Sequence, residues 1–217
     1  MFVLPSIESW HLYVITDEHL SGGRSHIQIA EDAIAGGADV IQLRDKSASS
    51  RKLFQTALEL RRLTREAGVT FIVNDRLDIT LAVDADGLHI GRDDLPLAVA
   101  RRWIKRDKIL GVSAATVDEA LEAEAHGADY LGVGPIYEAR GTKFDAGKPI
   151  GLNLLQNIRH RCNTPVIAIG GIQSKNVEDV INAGATGIAV ISAVVSAPDI
   201  TAAVRDLKEQ IMVAKKN

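Results

Sequence analysis

Short apolar runs recur along the chain at intervals of about 25 residues, the repeat expected when a strand, a helix and two turns alternate. Eight such runs occupy 11–16, 40–44, 71–74, 87–90, 109–113, 130–136, 165–170 and 187–192. Most are continuously apolar rather than alternating, the pattern of strands covered on both faces in a parallel sheet. Between them the signals are helical. Ser25 with Gln28, and Thr116 with Glu119, have capping-box spacing, in which a hydroxyl and a side-chain acceptor satisfy free amides of a first turn. Leu53, Ala57, Leu60 and Ala67 fall on one helical face, with Arg51, Arg61, Arg62 and Arg65 mostly off it. Ser174 is placed to cap a helix ahead of Val177 and Ile181. The stretches Ala-Gly-Gly-Ala (35–38), His-Gly-Ala-Asp (126–129) and Ala-Gly-Ala-Thr (183–186) each precede a strand, where glycine supplies the positive φ that ends a helix. The alternation predicts a single-domain (β/α)₈ TIM barrel over residues 1–217. A doubly wound open sheet is the alternative, because periodicity alone does not show closure.

Composition narrows the partners. A chain of 217 residues that is 46% hydrophobic has enough apolar material for one large α/β core. Its 25 basic and 28 acidic residues give a net charge of −3 with no long run of one sign. That balance argues against nucleic acid or a membrane surface as the main partner and leaves small molecules. The first residues carry no basic segment and are interrupted by Pro5 and Glu8, unlike a secretory signal, and no apolar run approaches a membrane span. Cys162 is the only cysteine, so no intrachain disulfide or thiolate metal cluster is expected. A cytoplasmic protein fits best, as either a monomer or a homodimer.

Candidate chemistry gathers at the ends of the runs, which share one rim if the barrel closes. Gln42, Arg44 and Lys46 alternate with Leu43 and Asp45 and so point to one side of an extended segment. A guanidinium and an ammonium in a barrel mouth are costly unless an anion meets them, and arginine presents a planar fork to phosphate oxygens. Pairing with structural carboxylates such as Asp75 or Asp94 is the plainer reading. Asn74-Asp75 ends the third run and Asp93-Asp94 follows the fourth, so carboxylates from adjacent loops can lie side by side. Such oxygen ligands hold Mg²⁺ together with water and substrate phosphate. One of Asp93 and Asp94 is expected to cap the helix that follows at Pro96. Ser113 and, in the loop 138–145, Thr142 and Lys143 add hydroxyls and a cation, whereas Arg140 reads as solvated surface. Gly170-Gly171 and Ile191-Ser192 offer backbone amides at a frequent phosphate address of this fold. His89 falls within the fourth strand, and with His126, His160 and Cys162 it reads as structural. A rim with cations, metal ligands and hydroxyl donors but no evident base suits a reaction in which a diphosphate leaves and the protein stabilises its charge.

Taken together these motifs resemble the thiamine phosphate synthase family. The resemblance rests on Gln42-Leu43-Arg44-Asp45-Lys46, Val73-Asn74-Asp75, 87–94, Gly111-Val112-Ser113-Ala114, 132–137, Thr142-Lys143, Ile169-Gly170-Gly171-Ile172 and Val190-Ile191-Ser192-Ala193, in order, from about Tyr13 to the last helix. It implies a (β/α)₈ barrel that joins 4-amino-5-hydroxymethyl-2-methylpyrimidine diphosphate to 4-methyl-5-(2-phosphoethyl)thiazole by a dissociative, Mg²⁺-dependent route. By the same resemblance Gln42 contacts the pyrimidine. Arg44, Lys46, Asn74, Ser113 and Lys143 hold the diphosphate, with Arg44, Ser113 and Lys143 as catalytic members. Asp75 and Asp94 bind Mg²⁺, which leaves the cap to Asp93, and Thr142 binds ligand from the loop. Gly171, Ile191 and Ser192 give amides to the thiazole phosphate. This chain departs from the family's pattern in a 138–143 segment one residue longer, with Ala139 near the usual first threonine, and in Ala115, where a polar residue is common. The related thiazole tautomerase, which uses a histidine in the loop after the serine, is the alternative enzyme, and a non-catalytic sensor of thiamine intermediates is the alternative outside catalysis.

Overall fold

The computed structural model describes residues 6–138 and 148–216. Its centre is a closed barrel of eight parallel strands in sequential order, each paired with its neighbours in the chain and the last with the first. The strands are β1 (Leu12–Thr16), β2 (Val40–Leu43), β3 (Thr70–Asn74), β4 (Gly87–Ile90), β5 (Ile109–Ala114), β6 (Tyr130–Val133), β7 (Val166–Ile169) and β8 (Gly187–Val190). Closure settles the choice between barrel and open sheet. Around it run α1 (His26–Gly36), α2 (Ser50–Ala67), α3 (Leu77–Ala82), α4 (Leu97–Trp103), α5 (Val117–Ala125), α6 (Gly151–Arg161), α7 (Val177–Asn182), α8 (Ser192–Val195) and α9 (Ile200–Ala214). Among the described residues, no helix is long and apolar enough to cross a membrane.

Strand residues are buried on both faces, as the continuous apolar runs predict, because alternate side chains meet the helices and the barrel interior. The run 130–136 stops as a strand at Val133, since Pro135 has no N–H for the ladder. Pairing resumes irregularly where Ile136 and Tyr137 donate to the carbonyls of Ile169 and Gly170. The run 187–192 stops at Val190, and Ser192 instead opens α8.

The helix signals divide. Ser25 and Gln28 form the complete capping box at α1. At α5, Thr116 accepts from the Glu119 amide, but the Glu119 carboxylate reaches the amide of Ala115 rather than that of the cap. Ser174 does not cap α7; its hydroxyl donates to Asp206, and Asn176 precedes the helix without a side-chain cap. On α2 the buried stripe is Leu53, Ala57, Leu60 and Thr64, while Ala67 is exposed. Thr64 is tolerated there because its hydroxyl donates back to the Leu60 carbonyl at 2.9 Å. Gly36 lets α1 press against α9, since a Cβ there would lie 2.7 Å from the Thr201 carbonyl oxygen.

A repeated clamp closes the rim at the strands' N-terminal ends. Asp39, just before β2, accepts the amides of His11 and Leu12 at 2.9 Å. Asp86, before β4, accepts Phe71 at 2.8 Å; Asp129, before β6, accepts Leu110 at 2.7 Å; and the Thr186 hydroxyl, before β8, accepts Val166 at 3.1 Å. The residue ahead of each even strand thus satisfies a first amide of the odd strand before it, a group the ladder leaves over. Each aspartate also meets a cation from an outer helix: Lys208, Arg61 or Arg101.

Candidate active site

The opposite rim, at the C-terminal ends of the strands, holds one cavity whose lining brings together Gln42, Arg44, Lys46, Asn74, Asp75, Asp94, Ser113, Gly171, Ile191 and Ser192. Residues separated by as much as 150 positions meet because every parallel strand ends on this side. Thr142, Lys143 and Arg140 lie outside the described residues.

The acidic pair is built by strained and tight backbone. Asp75 has φ 63, a left-handed value that a residue with a side chain adopts at a cost. The Arg76 amide donates to the Asn74 carbonyl at 2.7 Å across it, while the Asp75 amide is held by the His89 carbonyl at 2.8 Å. The result is a γ-turn of the rare positive-φ kind at the end of β3. Asp94 closes a turn of its own by accepting the Gly91 amide at 2.7 Å. Asp93 therefore does not take the expected role: α4 begins after Pro96 with no side-chain cap, and it is Asp94 whose carboxylate satisfies a loop amide.

The Asp75 and Asp94 carboxyls are close enough to act on each other directly. Burial, then the bond to Asp94 and the charge of Asp94, push Asp75 up from 3.8 to about 6, against the opposing pull of Lys46 and Arg44. Burial works against ionisation of Asp94 too, but the bond from Asp75 and the Gly91 amide hold it below the ordinary value. The pair as a whole therefore gives up its second proton at a higher pH than an ordinary carboxyl does. The Lys46 ammonium stands 3.6 Å from Asp75, so the plainer reading of that lysine is realised in part. Arg44 lies 3.9 Å from Asp17, whose other oxygen accepts the amides of His19 and Leu20. Both cations remain in the lining of the mouth, Arg44 largely buried and Lys46 half exposed.

A histidine does reach the site. His89 lines the cavity, with Nε2 3.1 Å from the Ser113 hydroxyl and Nδ1 2.9 Å from that of Tyr130. The expectation of a rim without histidine fails here. The signal was the alternation within β4: Leu88 and Ile90 pack on the second apolar cluster beneath α4, which sends His89 to the interior. Tyr13 and Tyr130 line the same cavity and were not foreseen. His126 and His160 are exposed, each bonded to a carbonyl of its own helix, and Cys162 is buried against Ala120 and Glu124, in keeping with structural roles.

Gly170 and Gly171, at φ 99 and φ 68, make the turn after β7. Close packing also requires them: a Cβ on Gly170 would lie 2.5 Å from that of Pro135, and one on Gly171 would lie 2.8 Å from the Glu138 carbonyl oxygen. Ile191 and Ser192 start α8, where first-turn amides have no partner within the helix. This neutral side faces the charged ends of β3 and β4 across the barrel.

The family model for thiamine monophosphate synthase matches residues 12–194. A thiamine-phosphate synthase of Chloroflexus aurantiacus is 57% identical over 97% of this chain and 96% of its own length. Another, from Moorella thermoacetica, is 54% identical over 95% and 98%. The thiamine phosphate pyrophosphorylase structure from Pyrococcus furiosus superposes with a TM-score of 0.88 at 41% identity, covering 96% of this chain and 98% of that one. Barrel, cavity and sequence agree, and the chain belongs to the thiamine monophosphate synthase family.

Proposed function

We propose that this protein is a thiamine-phosphate synthase that joins the pyrimidine methyl diphosphate to the thiazole phosphate, releasing diphosphate. The observation that carries the reading is the carboxyl pair at Asp75 and Asp94, set beside Lys46 and within the same mouth as Arg44 and Ser113. Two carboxyls held together in a half-buried site repel once both ionise, and a hard divalent cation relieves that repulsion with the oxygen ligands it prefers. Asp75 and Asp94 thus fit Mg²⁺, which when bound would draw charge from the diphosphate oxygens.

The chain's own groups do the rest. Arg44, Lys46 and Ser113 donate to the diphosphate, and their contacts strengthen as the bond from the pyrimidine methylene carbon to oxygen lengthens and charge collects on the departing group. The resulting pyrimidine cation is attacked by the thiazole ring nitrogen, which forms the new bond without a proton transfer. Gln42 lies beneath the place of the pyrimidine, and Gly171, Ile191 and Ser192 line the wall where the retained phosphate would sit. A thiazole tautomerase needs no diphosphate site, and the relatives above are named as synthases.

The test is direct. Purified protein is incubated with both substrates, with and without Mg²⁺, and diphosphate release and thiamine phosphate formation are followed. Stoichiometric formation of both products is expected only with the metal. Isomerised thiazole phosphate with no coupled product would mark a tautomerase, and binding without turnover a sensor.

A further inference from the structure

Four polar side chains cross the barrel interior in hydrogen-bond contact and end on a fifth at the mouth. The Gln42 amide nitrogen lies 2.7 Å from the Tyr13 hydroxyl, which lies 2.9 Å from that of Tyr130. Tyr130 in turn contacts Nδ1 of His89 at 2.9 Å, and Nε2 of His89 contacts Ser113 at 3.1 Å. Gln42, Tyr13 and Tyr130 are buried. The path is built in: a Cβ on Gly111 would fall within the Tyr130 ring, and one on Gly132 would lie 2.9 Å from Cε1 of His89. Two strand glycines thus make the space these rings fill.

Such a chain has a direction, because each phenol has one proton to give and a neutral imidazole donates from one nitrogen and accepts at the other. Burial, above all, holds both phenols above their ordinary range, so each keeps its proton. An amide nitrogen only donates, so with Gln42 giving to Tyr13, the one pattern along the chain in which each buried phenol proton finds an acceptor has Tyr13 give to Tyr130 and Tyr130 to Nδ1 of His89. The imidazole proton then sits on Nε2 and is given to the Ser113 oxygen. In the reverse sense Ser113 would spend its own proton on His89 and present only lone pairs to the mouth.

We propose that Gln42, Tyr13, Tyr130 and His89 form a one-way donor chain that fixes His89 as its Nε2-protonated tautomer and frees the Ser113 proton for an anionic leaving group. His89, Tyr130 and Tyr13 are then positioning residues, acting through Ser113. The use of the freed proton rests on the synthase reading above; the direction of the chain does not.

Long-range proton–nitrogen correlation spectra of the histidine-labelled protein without substrate test the direction. The His89 signals are identified by their loss in His89→Asn or, if that variant does not fold, by their shift in Ser113→Ala. The expected result is Nε2–H as the major wild-type form; any other major form overturns the proposal. Tyr130→Phe removes the donor to Nδ1 and should abolish the tautomer preference. Its kcat should fall roughly tenfold, less than the loss of an oxyanion donor itself, with KM nearly unchanged. Tyr13→Phe, which leaves Tyr130 able to donate, should do less on both measures. A Tyr130→Phe protein with wild-type tautomer and rate would also overturn the proposal. Failure of the wild type to turn over both substrates would defeat the synthase reading and leave the tautomer result standing.

Discussion

Asp75 shows how backbone bonds can hold a single position against local preference. A left-handed aspartate costs about 1–3 kcal/mol, and the surrounding bonds to Asn74 and His89 backbone atoms sustain it. Replacing Asp94 by asparagine keeps the size and the acceptor for the Gly91 amide but halves the charge available to a cation. Asp94→Asn should therefore fold as wild type and lose Mg²⁺-dependent turnover, measured by titrating the metal in the coupled assay; wild-type metal dependence would remove Asp94 from the ligand set. Ser113→Ala should slow turnover by roughly 10²-fold, the usual cost of one donor to developing negative charge. A rate near wild type would show that this hydroxyl does not meet the leaving group. Gln42, Arg44, Lys46, Asp75, Asp94 and Ser113 were legible in the sequence because each interrupts or ends an apolar run. Tyr13, His89 and Tyr130 were not, because inside a run that is buried on both faces an inward residue has no polar neighbour to contrast with. Besides the alternation in β4, the small residues Gly111 and Gly132 betray the space those rings need.

Elements were easier to place than their ends. Strand centres follow from the apolar runs, and helix starts at Ser25 and Thr116 from local chemistry, but Ser174 and Asp93 had cap-like spacing without capping: Ser174 bonds Asp206 instead, and α4 starts after Pro96 with no side-chain cap. The exit of α6 shows a link that spacing cannot reveal, because it joins residues about 40 positions apart. Glu124, on α5, accepts from the Cys162 thiol, from the Asn163 and Thr164 amides at 2.7 and 3.0 Å, and from the Thr164 hydroxyl at 3.0 Å. The bond from Cys162 and those from Thr164 and Asn163 outweigh desolvation and take this carboxyl from 4.5 down to about 2. A carboxyl more acidic folded than unfolded adds stability in full above its unfolded value, and that stability drains away as pH falls toward the folded one. Glu124→Gln should consequently lower the urea midpoint most above about pH 5, with the gap from wild type narrowing between about pH 4.5 and pH 2. A gap that stays constant over that window would show that charge at Glu124 is not its source.

At the scale of the molecule the two rims divide the labour. The C-terminal rim concentrates strain, paired acids and partly satisfied cations, while the N-terminal rim repeats one clamp four times and leaves the first strand amides satisfied. The clamp explains why the Gly-Ala-Asp and Gly-Ala-Thr stretches recur: glycine ends a helix, and the polar residue after it ties the strand it precedes to the strand before that helix. From the sequence the glycine half of that device was readable and the polar half was not, because its partners lie on strands about 15 to 20 residues away. Asp86 is the best place to measure what the clamp contributes, since it is buried and holds both the Phe71 amide and, at 2.8 Å, the largely buried Arg61 guanidinium. Asp86→Ala leaves a charge and an amide without their partner, and breaking a buried pair from one side costs about 3–5 kcal/mol. Double replacement by Asp86→Ala and Arg61→Met removes the stranded charge and should recover part of that loss, so the two changes are less than additive. Denaturant unfolding of the four proteins reads the coupling. Because the clamp lies at the far rim from the catalytic mouth, kcat of the folded fraction should stay at the wild-type value in all of them. Additive losses would show that Asp86 acts through the Phe71 amide alone, and a fall in kcat without a fall in stability would show that the two rims are not separate.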